Sequence, residues 1–257
     1  MYKQRLDQAL VQLGLVSTRS QAESYIKLAQ VTVNGKINTK AGTLVRDEDS
    51  VKISTIQQYV SRAALKLASV AEALDLDFVG KLVLDVGSST GGFTDYALRN
   101  HAKKVIAVEV GTGQLHPTLV GHPLIELHEK TNILEVGSSN LEFRSDPKNI
   151  PNSKFQIPIP DIVLVDVSFT STRDLLPHIV SLINKNTQLV VMVKPQFEAA
   201  KSSYKHNGVI KNDKMRRDIL KDFETWAVKT FKIINKVDSE ISGAKGNKER
   251  FYLLRKV

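Results

Sequence analysis

The stretch that most constrains this chain is Leu82-Val83-Leu84-Asp85-Val86-Gly87-Ser88-Ser89-Thr90-Gly91-Gly92-Phe93. An apolar run of Leu and Val, with one acid inside it, breaks into a glycine loop. The chain then enters Thr94-Asp95-Tyr96-Ala97-Leu98, which reads as helix. Strand, tight turn and helix N-terminus together predict the nucleotide-binding corner of an open α/β sheet, at the carboxyl end of a strand. Glycine matters there because a Cβ would hold the backbone away from a ligand.

The spacing narrows the ligand. A dinucleotide site uses G-x-G-x-x-G to seat a diphosphate on the helix N-terminus. This chain has Asp-x-Gly-x-x-x-Gly, and a carboxylate ahead of the first glycine suits a cationic or amine-bearing ligand better. That is the pattern of S-adenosylmethionine (SAM) enzymes, whose cofactor carries an amino-acid end and a sulfonium. Asp85, Gly87, Ser88, Ser89, Thr90, Gly91, Gly92 and Phe93 are therefore candidate cofactor residues. A second buried strand, Val105 to Val108, ends at Glu109, about twenty residues past the glycines, where an acid can hydrogen-bond ribose hydroxyls. A third strand is expected over Leu124–Leu127, followed by Asn132, which joins the cofactor set.

Ile162 to Val165 and Leu189 to Val193 are near-continuous apolar runs, as fully buried parallel strands should be. The first ends at Asp166 and the second at Lys194. Charges at the rim of a buried sheet carry a desolvation cost and are seldom there for packing, so both are site candidates, Asp166 for the cofactor and for chemistry. The bland alternative is a salt bridge closing the rim. Residues 137–160 are rich in Ser, Asn and Pro without a period and read as a long loop. A basic loop over 201–214 leads to a helix through Trp226, and two last strands flank Gly243 to Glu249. The fold class is α/β: a Rossmann-like sheet with helices on both faces, preceded by a small α+β domain.

That first domain spans residues 1–55, with a linker over 56–60 and the second domain over 61–257. Leu6, Ala9, Leu10 and Leu13 recur at helical spacing, and Gly14 can end the helix. Ser17 and Thr18 are N-cap candidates for a second helix that buries Ala22, Tyr25, Ile26 and Ala29. Asn34-Gly35 predicts a tight hairpin between Val31–Val33 and a strand through Ile37, and Val51–Ile53 is a further strand. After the linker, Ser61 caps a helix on which Arg62 and Lys66 share one face, a pairing of like charges that calls for something anionic opposite.

Thirty-six Lys and Arg against 27 Asp and Glu leave a net charge of +9, which favours a polyanionic partner. Cysteine is absent, which excludes disulfides, thiolate nucleophiles and Cys-ligated zinc. The six histidines show no metal-ligand spacing, so no metal site is expected. Neither a signal peptide nor a spanning run is visible, and a cytoplasmic protein without membrane or obligate protein partner is expected.

Several of these motifs carry a resemblance. The pattern Arg5-Leu6-Asp7, then Ser17 to Ala22, then Val31-Thr32-Val33-Asn34-Gly35 resembles the small RNA-binding domain named after ribosomal protein S-four. The resemblance implies that Arg5, Arg19, Lys27 and Lys36 meet RNA phosphates, and we add Arg62 to that set. It departs at Ala29, where that family usually has glycine. Tyr59 to Leu67, Asp85 to Thr94, Val165-Asp166-Val167-Ser168-Phe169, Val193 to Glu198 and Gly246 to Glu249 resemble, in order, the TlyA (haemolysin A) family. That family joins an S-four domain to an FtsJ-like, SAM-dependent ribose 2′-O-methyltransferase. The likeness covers nearly the whole chain and implies ribosomal RNA, in subunits assembled or assembling, as substrate, with cytidine as the target. It places a catalytic tetrad on Lys66, Asp166, Lys194 and Glu249, with Lys194 orienting and deprotonating the 2′-hydroxyl. Glu109 stands where Asp is commoner in the family, a longer arm that still reaches a ribose. Three other readings compete: a catalytically silent RNA-binding or ribosome-assembly factor, a membrane-lytic protein, and a small-molecule methyltransferase, the last disfavoured by the attached RNA module.

Overall fold

Alternation along buried strands sets the architecture. The computed structural model describes residues 3–16, 18–53, 59–139, 154–202, 204, 207–243 and 245–257. Ser17, the polar connection over 54–58, residues 140–153 of the long loop and Ala244 lie outside the described residues.

The N-terminal unit comprises β1 (Lys3–Arg5), α1 (Leu6–Gln12), α2 (Arg19–Lys27), β2 (Val31–Val33), β3 (Lys36–Ile37), β4 (Leu44–Arg46) and β5 (Val51–Ile53). Thr18 is the N-cap of α2, its side chain accepting from the Gln21 amide. At the other end Ala29 takes φ of 55°, and two hydrogen bonds close the helix, Gln30 N to Tyr25 O and Ala29 N to Ile26 O. That is a Schellman end built on alanine where glycine is the unstrained choice. The departure at Ala29 therefore leaves the turn tight and charges it to the backbone. Asn34 and Gly35 both have positive φ, as the β2–β3 hairpin requires. β2 also pairs with β5, and β1 pairs with β4. The β1–β4 pair is not visible in the sequence, because three residues give no period.

The remainder comprises α3 (Arg62–Ala71), β6 (Leu82–Val86), α4 (Gly92–Arg99), β7 (Lys104–Val108), β8 (Ile125–His128), β9 (Val136–Ser138), β10 (Phe155–Ile157), β11 (Ile162–Val165), α5 (Thr172–Leu182), β12 (Gln188–Val193), α6 (Pro195–Glu198), α7 (Asp213–Ala227), β13 (Phe231–Asp238) and β14 (Arg250–Lys256). Seven strands form one sheet in the order β13-β14-β12-β11-β6-β7-β8. Strands β6, β7, β8, β11 and β12 run parallel; β14 pairs antiparallel with β12, and the edge strand β13 pairs antiparallel with β14 and so runs in the direction of the other five. Leu84 and Val86, Val163 and Val165, and Leu189, Val191 and Val193 pack under α5 and α7. Val83, Ile162 and Leu164, and Val190 and Met192 pack under α3 and α4. Burial on both faces explains why these strands read as unbroken apolar runs. The order of connection reverses between β6 and β11, which is where ligands bind in open α/β sheets.

Several sequence readings change. Ala29, expected on the buried face of the second helix, is exposed and lies past the end of α2, and Leu13, spaced with the buried Leu6, Ala9 and Leu10, is the exposed C-cap of α1. The stretch read as a loop over 137–160 contains β9 and β10, paired in parallel, and again three-residue strands leave no period. Helix α5 escapes the sequence reading, since Pro177 interrupts a pattern that otherwise continues from Thr172 to Leu182. Among the described residues no helix is long and apolar enough to cross a membrane.

Candidate active site

Strand β6 delivers the glycine loop to the switch point. Gly87 has φ of 81°, and a Cβ there would come within 2.7 Å of the Asp166 carbonyl at the end of β11. Glycine is thus required both by conformation and by close approach. Gly91 and Gly92 serve packing: a Cβ on Gly91 would strike Leu115 and Leu119, and one on Gly92 the Ser61 hydroxyl and Ala63 at the start of α3. Ser88, Ser89, Thr90 and Phe93 face a cavity shared with Asp85, Asp166 and Lys194.

Beside it opens a cleft of about 440 Å³ between the loops after β6, β7 and β11, within the range of small-molecule sites. Glu109, Asn132, Val108, Ile133, Asp166 and Phe169 line it. Glu109 ties its walls together, accepting from Ser89 N at 2.8 Å and Gly111 N at 2.7 Å. Asn132 caps the short 3-10 turn Ile133–Glu135 and closes a capping box with Glu135.

Three carboxylates, Asp85, Glu109 and Asp166, surround this space. Asp85 is 1% exposed, accepts from Thr94 Oγ1 at 2.6 Å through Oδ2, and has no partner for Oδ1. Burial pushes its carboxyl up to about 7 against the help of the Thr94 hydroxyl, and the charges of Asp166 and Glu109 push the same way. Ser88 Oγ is likewise buried without a partner. Unsatisfied buried acceptors on a glycine cradle fit the amino-acid end and sulfonium of SAM, since an orphaned polar atom is costly until a ligand satisfies it.

The four tetrad residues form two ion pairs. Lys194, the residue after β12, places Nζ 2.6 Å from Asp166 Oδ1 and donates to Ser168 Oγ at 2.8 Å. Lys66, on α3, is paired with Glu249. Val193 lies opposite Arg250 in the sheet, so Lys194 and Glu249 occupy the next position along the same two strands. Both pairs are largely buried. The Asp166–Lys194 pair lines the cavity below the glycine loop, whereas the lining of neither cavity includes Lys66 or Glu249. The anion that the Arg62–Lys66 face called for is, for Lys66, the protein's own Glu249.

The sequence reading missed three features here. Phe169 is 93% exposed with φ of 67°, a strained state for an aromatic residue, and its ring lies 5.5 Å from Phe197. Ser168 is the hydroxyl partner of Lys194. Glu198, fully buried, accepts from Ser171 Oγ, Thr172 N and Thr172 Oγ1, and so clamps the loop after β12 to the start of α5. An acid in Val193-Lys194-Pro195-Gln196-Phe197-Glu198 was the one available signal.

The RNA candidates divide. Arg5 and Arg19 both bond Asp7, at 3.0 and 2.7 Å, and Asp7 is fully buried while each guanidinium stays about half exposed. Burial works to raise the Asp7 carboxyl, but the hydrogen bonds from Arg5 and Arg19 outweigh it and hold the group below its usual range. Lys36 stands exposed on β3. Lys27 and Arg62 line a separate cleft with Glu23, Ser242 and Gly243, and Arg62 donates to the Ser242 carbonyl at 2.6 Å. Among the described residues no cluster of His, Cys, Asp and Glu could hold a metal ion.

Residues 59–256 match the family of FtsJ-like methyltransferases, and residues 4–51 match the S4 domain. The chain is 33% identical to Hemolysin A of Brachyspira hyodysenteriae over 95% of its own length and 97% of that protein. It is 32% identical to the 16S/23S rRNA (cytidine-2′-O)-methyltransferase TlyA of Mycobacterium tuberculosis, strain H37Rv, over 98% of this chain and 89% of the other. A solved structure from Streptococcus thermophilus, described as a candidate hemolysin, superposes with a TM-score of 0.67 at 31% identity, covering 100% of this chain and 90% of that one.

Proposed function

The chain belongs to the family of FtsJ-like methyltransferases, with an S4 domain ahead of the catalytic one, and on that premise we propose that it methylates a ribose 2′-hydroxyl of ribosomal RNA, at a cytidine, with SAM as donor. The observation that carries the reading is the Asp166–Lys194 pair, set where the glycine loop meets the topological switch of the sheet.

When bound, SAM supplies a methyl group already activated by its sulfonium. The chain's own residues do the rest. Gly87 lets the loop close against the Asp166 carbonyl beside the cleft, Asp85 and Ser88 offer unsatisfied acceptors to the amino-acid end of the cofactor, and Glu109 and Asn132 face the nucleoside. Lys194, as the neutral amine, holds the incoming hydroxyl and takes its proton as the methyl group leaves sulfur for the hydroxyl oxygen, and Asp166 and Ser168 hold the resulting ammonium in place. The Lys66–Glu249 pair supports the flank of the site from the next strand. The exposed ring of Phe169, backed by Phe197, presents a stacking face for an unpaired base. Arg5 and Arg19, oriented by Asp7, with Lys27 and Lys36 on the N-terminal domain and Arg62 on α3 of the second, serve as phosphate contacts.

Incubating the purified protein with SAM and separated ribosomal subunits, then mapping 2′-O-methyl groups nucleotide by nucleotide, tests this. A new methylated cytidine, absent with Lys194→Ala, is expected. RNA binding without ribose methylation on either subunit or on naked rRNA would leave the silent RNA-binding factor as the surviving reading.

A further inference from the structure

The apolar core of the N-terminal domain does not close on itself. Leu6, Leu10, Tyr25, Ile26 and Val31 share it with two residues of the methyltransferase domain, Leu65 at 0% and Ile241 at 1% exposure. Each of the two has a telling neighbour in the chain. Leu65 precedes Lys66 on α3, and Ile241 sits in the segment between β13 and β14 that ends at Glu249. The two docking residues thus flank the two halves of one ion pair.

The segment that carries Glu249 is tethered at several points. Ser239 N bonds the Glu249 carbonyl at 3.0 Å, and the Ser239 hydroxyl donates to the Ile241 carbonyl at 2.9 Å. Gly243 N bonds the Asn247 carbonyl at 2.8 Å, and a Cβ on Gly243 would stand 2.9 Å from Glu249 Oε1. On the far side the Asn247 side chain accepts from Ile210 N and donates to Gly208 O, both at 2.9 Å. The only apolar anchor this segment places in the N-terminal core is Ile241, among the described residues. Arg62, one turn before Lys66, bonds Ser242 next to it.

We propose that Ile241 is a positioning residue: seated in the core of the N-terminal domain, it sets the placement of Glu249 against Lys66, so that the RNA-binding domain is a structural part of the active site as well as an anchor for substrate. This rests on the proposed role of the Lys66–Glu249 pair. The cleft lined by Glu23, Ser24 and Lys27 of the one domain and Ser242, Gly243 and Gly246 of the other lies directly over this tether.

Ile241→Ala should lower the single-turnover methylation rate at saturating SAM and rRNA tenfold or more, change the Kd for SAM less than twofold, and be largely rescued in Ile241→Val. The decisive arm repeats Ile241→Ala in a Glu249→Gln background. If Ile241 acts through Glu249, it adds little there; an equal loss in both backgrounds, or a loss confined to RNA affinity, overturns the proposal. A readout independent of activity separates this from the functional reading. Peptide-resolved hydrogen exchange of the full chain should show Ile241→Ala loosening residues 239–249 while the glycine loop keeps its protection. Unchanged protection of 239–249 overturns the proposal even if methylation is confirmed, and loosening stands even if the substrate proves not to be rRNA.

Discussion

Asp7 and Asp85 are both buried carboxylates, 0% and 1% exposed, and they behave in opposite ways. Asp7 receives two guanidinium groups and a backbone amide, and its carboxyl is held below the usual range. Asp85 receives one hydroxyl, leaves one oxygen unpartnered, and is pushed up to about 7. The first is finished within the protein: its charge orients two arginines toward solvent. The second is unfinished, and a buried acceptor without a partner is worth keeping only where something outside the chain supplies it. The contrast separates the N-terminal domain, where this buried charge is satisfied, from the cleft beside the glycine loop, where it is not.

The hardest test of the cleft side is Lys194, the cation on its rim. As a general base it must pass through a neutral form, which arginine, with a pKa above 12, does not reach in a protein. Lys194→Ala and Lys194→Arg should both lose a hundred- to ten-thousandfold in single-turnover rate, roughly the worth of a positioned base, with SAM and RNA affinities largely kept. If arginine restores a substantial part of what alanine loses, Lys194 acts as a fixed charge and the base is elsewhere.

Replacing each aspartate by asparagine sharpens the comparison, because the two changes should have opposite signs. Asp7→Asn removes the anion that two arginines share and should cost on the order of 2 kcal/mol. Asp85→Asn, without cofactor at pH 8, removes a buried charge and should stabilise by an amount on the order of 2 kcal/mol, while SAM affinity falls at least tenfold. The pH windows differ as well. With its folded pKa raised, Asp85 contributes stability that is full below its unfolded value near 4 and is lost as pH rises to about 7. With its folded pKa lowered, Asp7 contributes stability present above its unfolded value and lost as pH falls through the lower folded one. Urea titrations of the three proteins from about pH 2.5 to about 8, a range that spans the Asp85 window and enters the Asp7 one, would show it; two changes of the same sign would dissolve the distinction.

On the RNA side, Arg19→Ala should weaken rRNA binding and make its salt slope shallower by roughly one unit, with SAM affinity untouched. An unchanged slope would mean that Arg19 serves Asp7 alone.

How much of this was legible follows from range. The corner from Leu82 to Phe93 was readable because strand, glycine turn and helix are local and each has its own residue signature. Asp166 and Lys194 stood out because a charge ending an apolar run is anomalous wherever it occurs. The Lys66–Glu249 pair joins positions 183 residues apart, and only the family likeness brought them together. Asp7 stands in the Arg5-Leu6-Asp7 pattern, which gives it no role of its own. Its neighbours Arg5 and Arg19 looked like phosphate contacts, and nothing in the sequence says that one buried carboxylate gathers both. Phe169 belongs to the Val165-Asp166-Val167-Ser168-Phe169 motif, yet its exposure and positive φ are set by how the loop after β11 leaves the sheet, which no residue pattern encodes.

The smallest effect concerns a strained point of the finished domain. Ala29 closes α2 with φ of 55°, in a region where an L side chain crowds the following carbonyl and glycine does not. The hydrogen bonds from Gln30 N and Ala29 N are already made, so glycine gains no contact and loses none. What changes is strain against entropy. Removing the Cβ relieves about 1–2 kcal/mol of left-handed strain, while the freer unfolded chain takes back about 0.4–1 kcal/mol. Ala29→Gly should therefore stabilise the protein by roughly 0.5–1 kcal/mol, with RNA and SAM affinities unchanged, because Ala29 lines none of the clefts described above. A shift in the urea midpoint at constant slope is the signature to look for. Destabilisation instead would mean that the turn is held by contacts of the Ala29 methyl, and that this domain is less finished than its charges suggest.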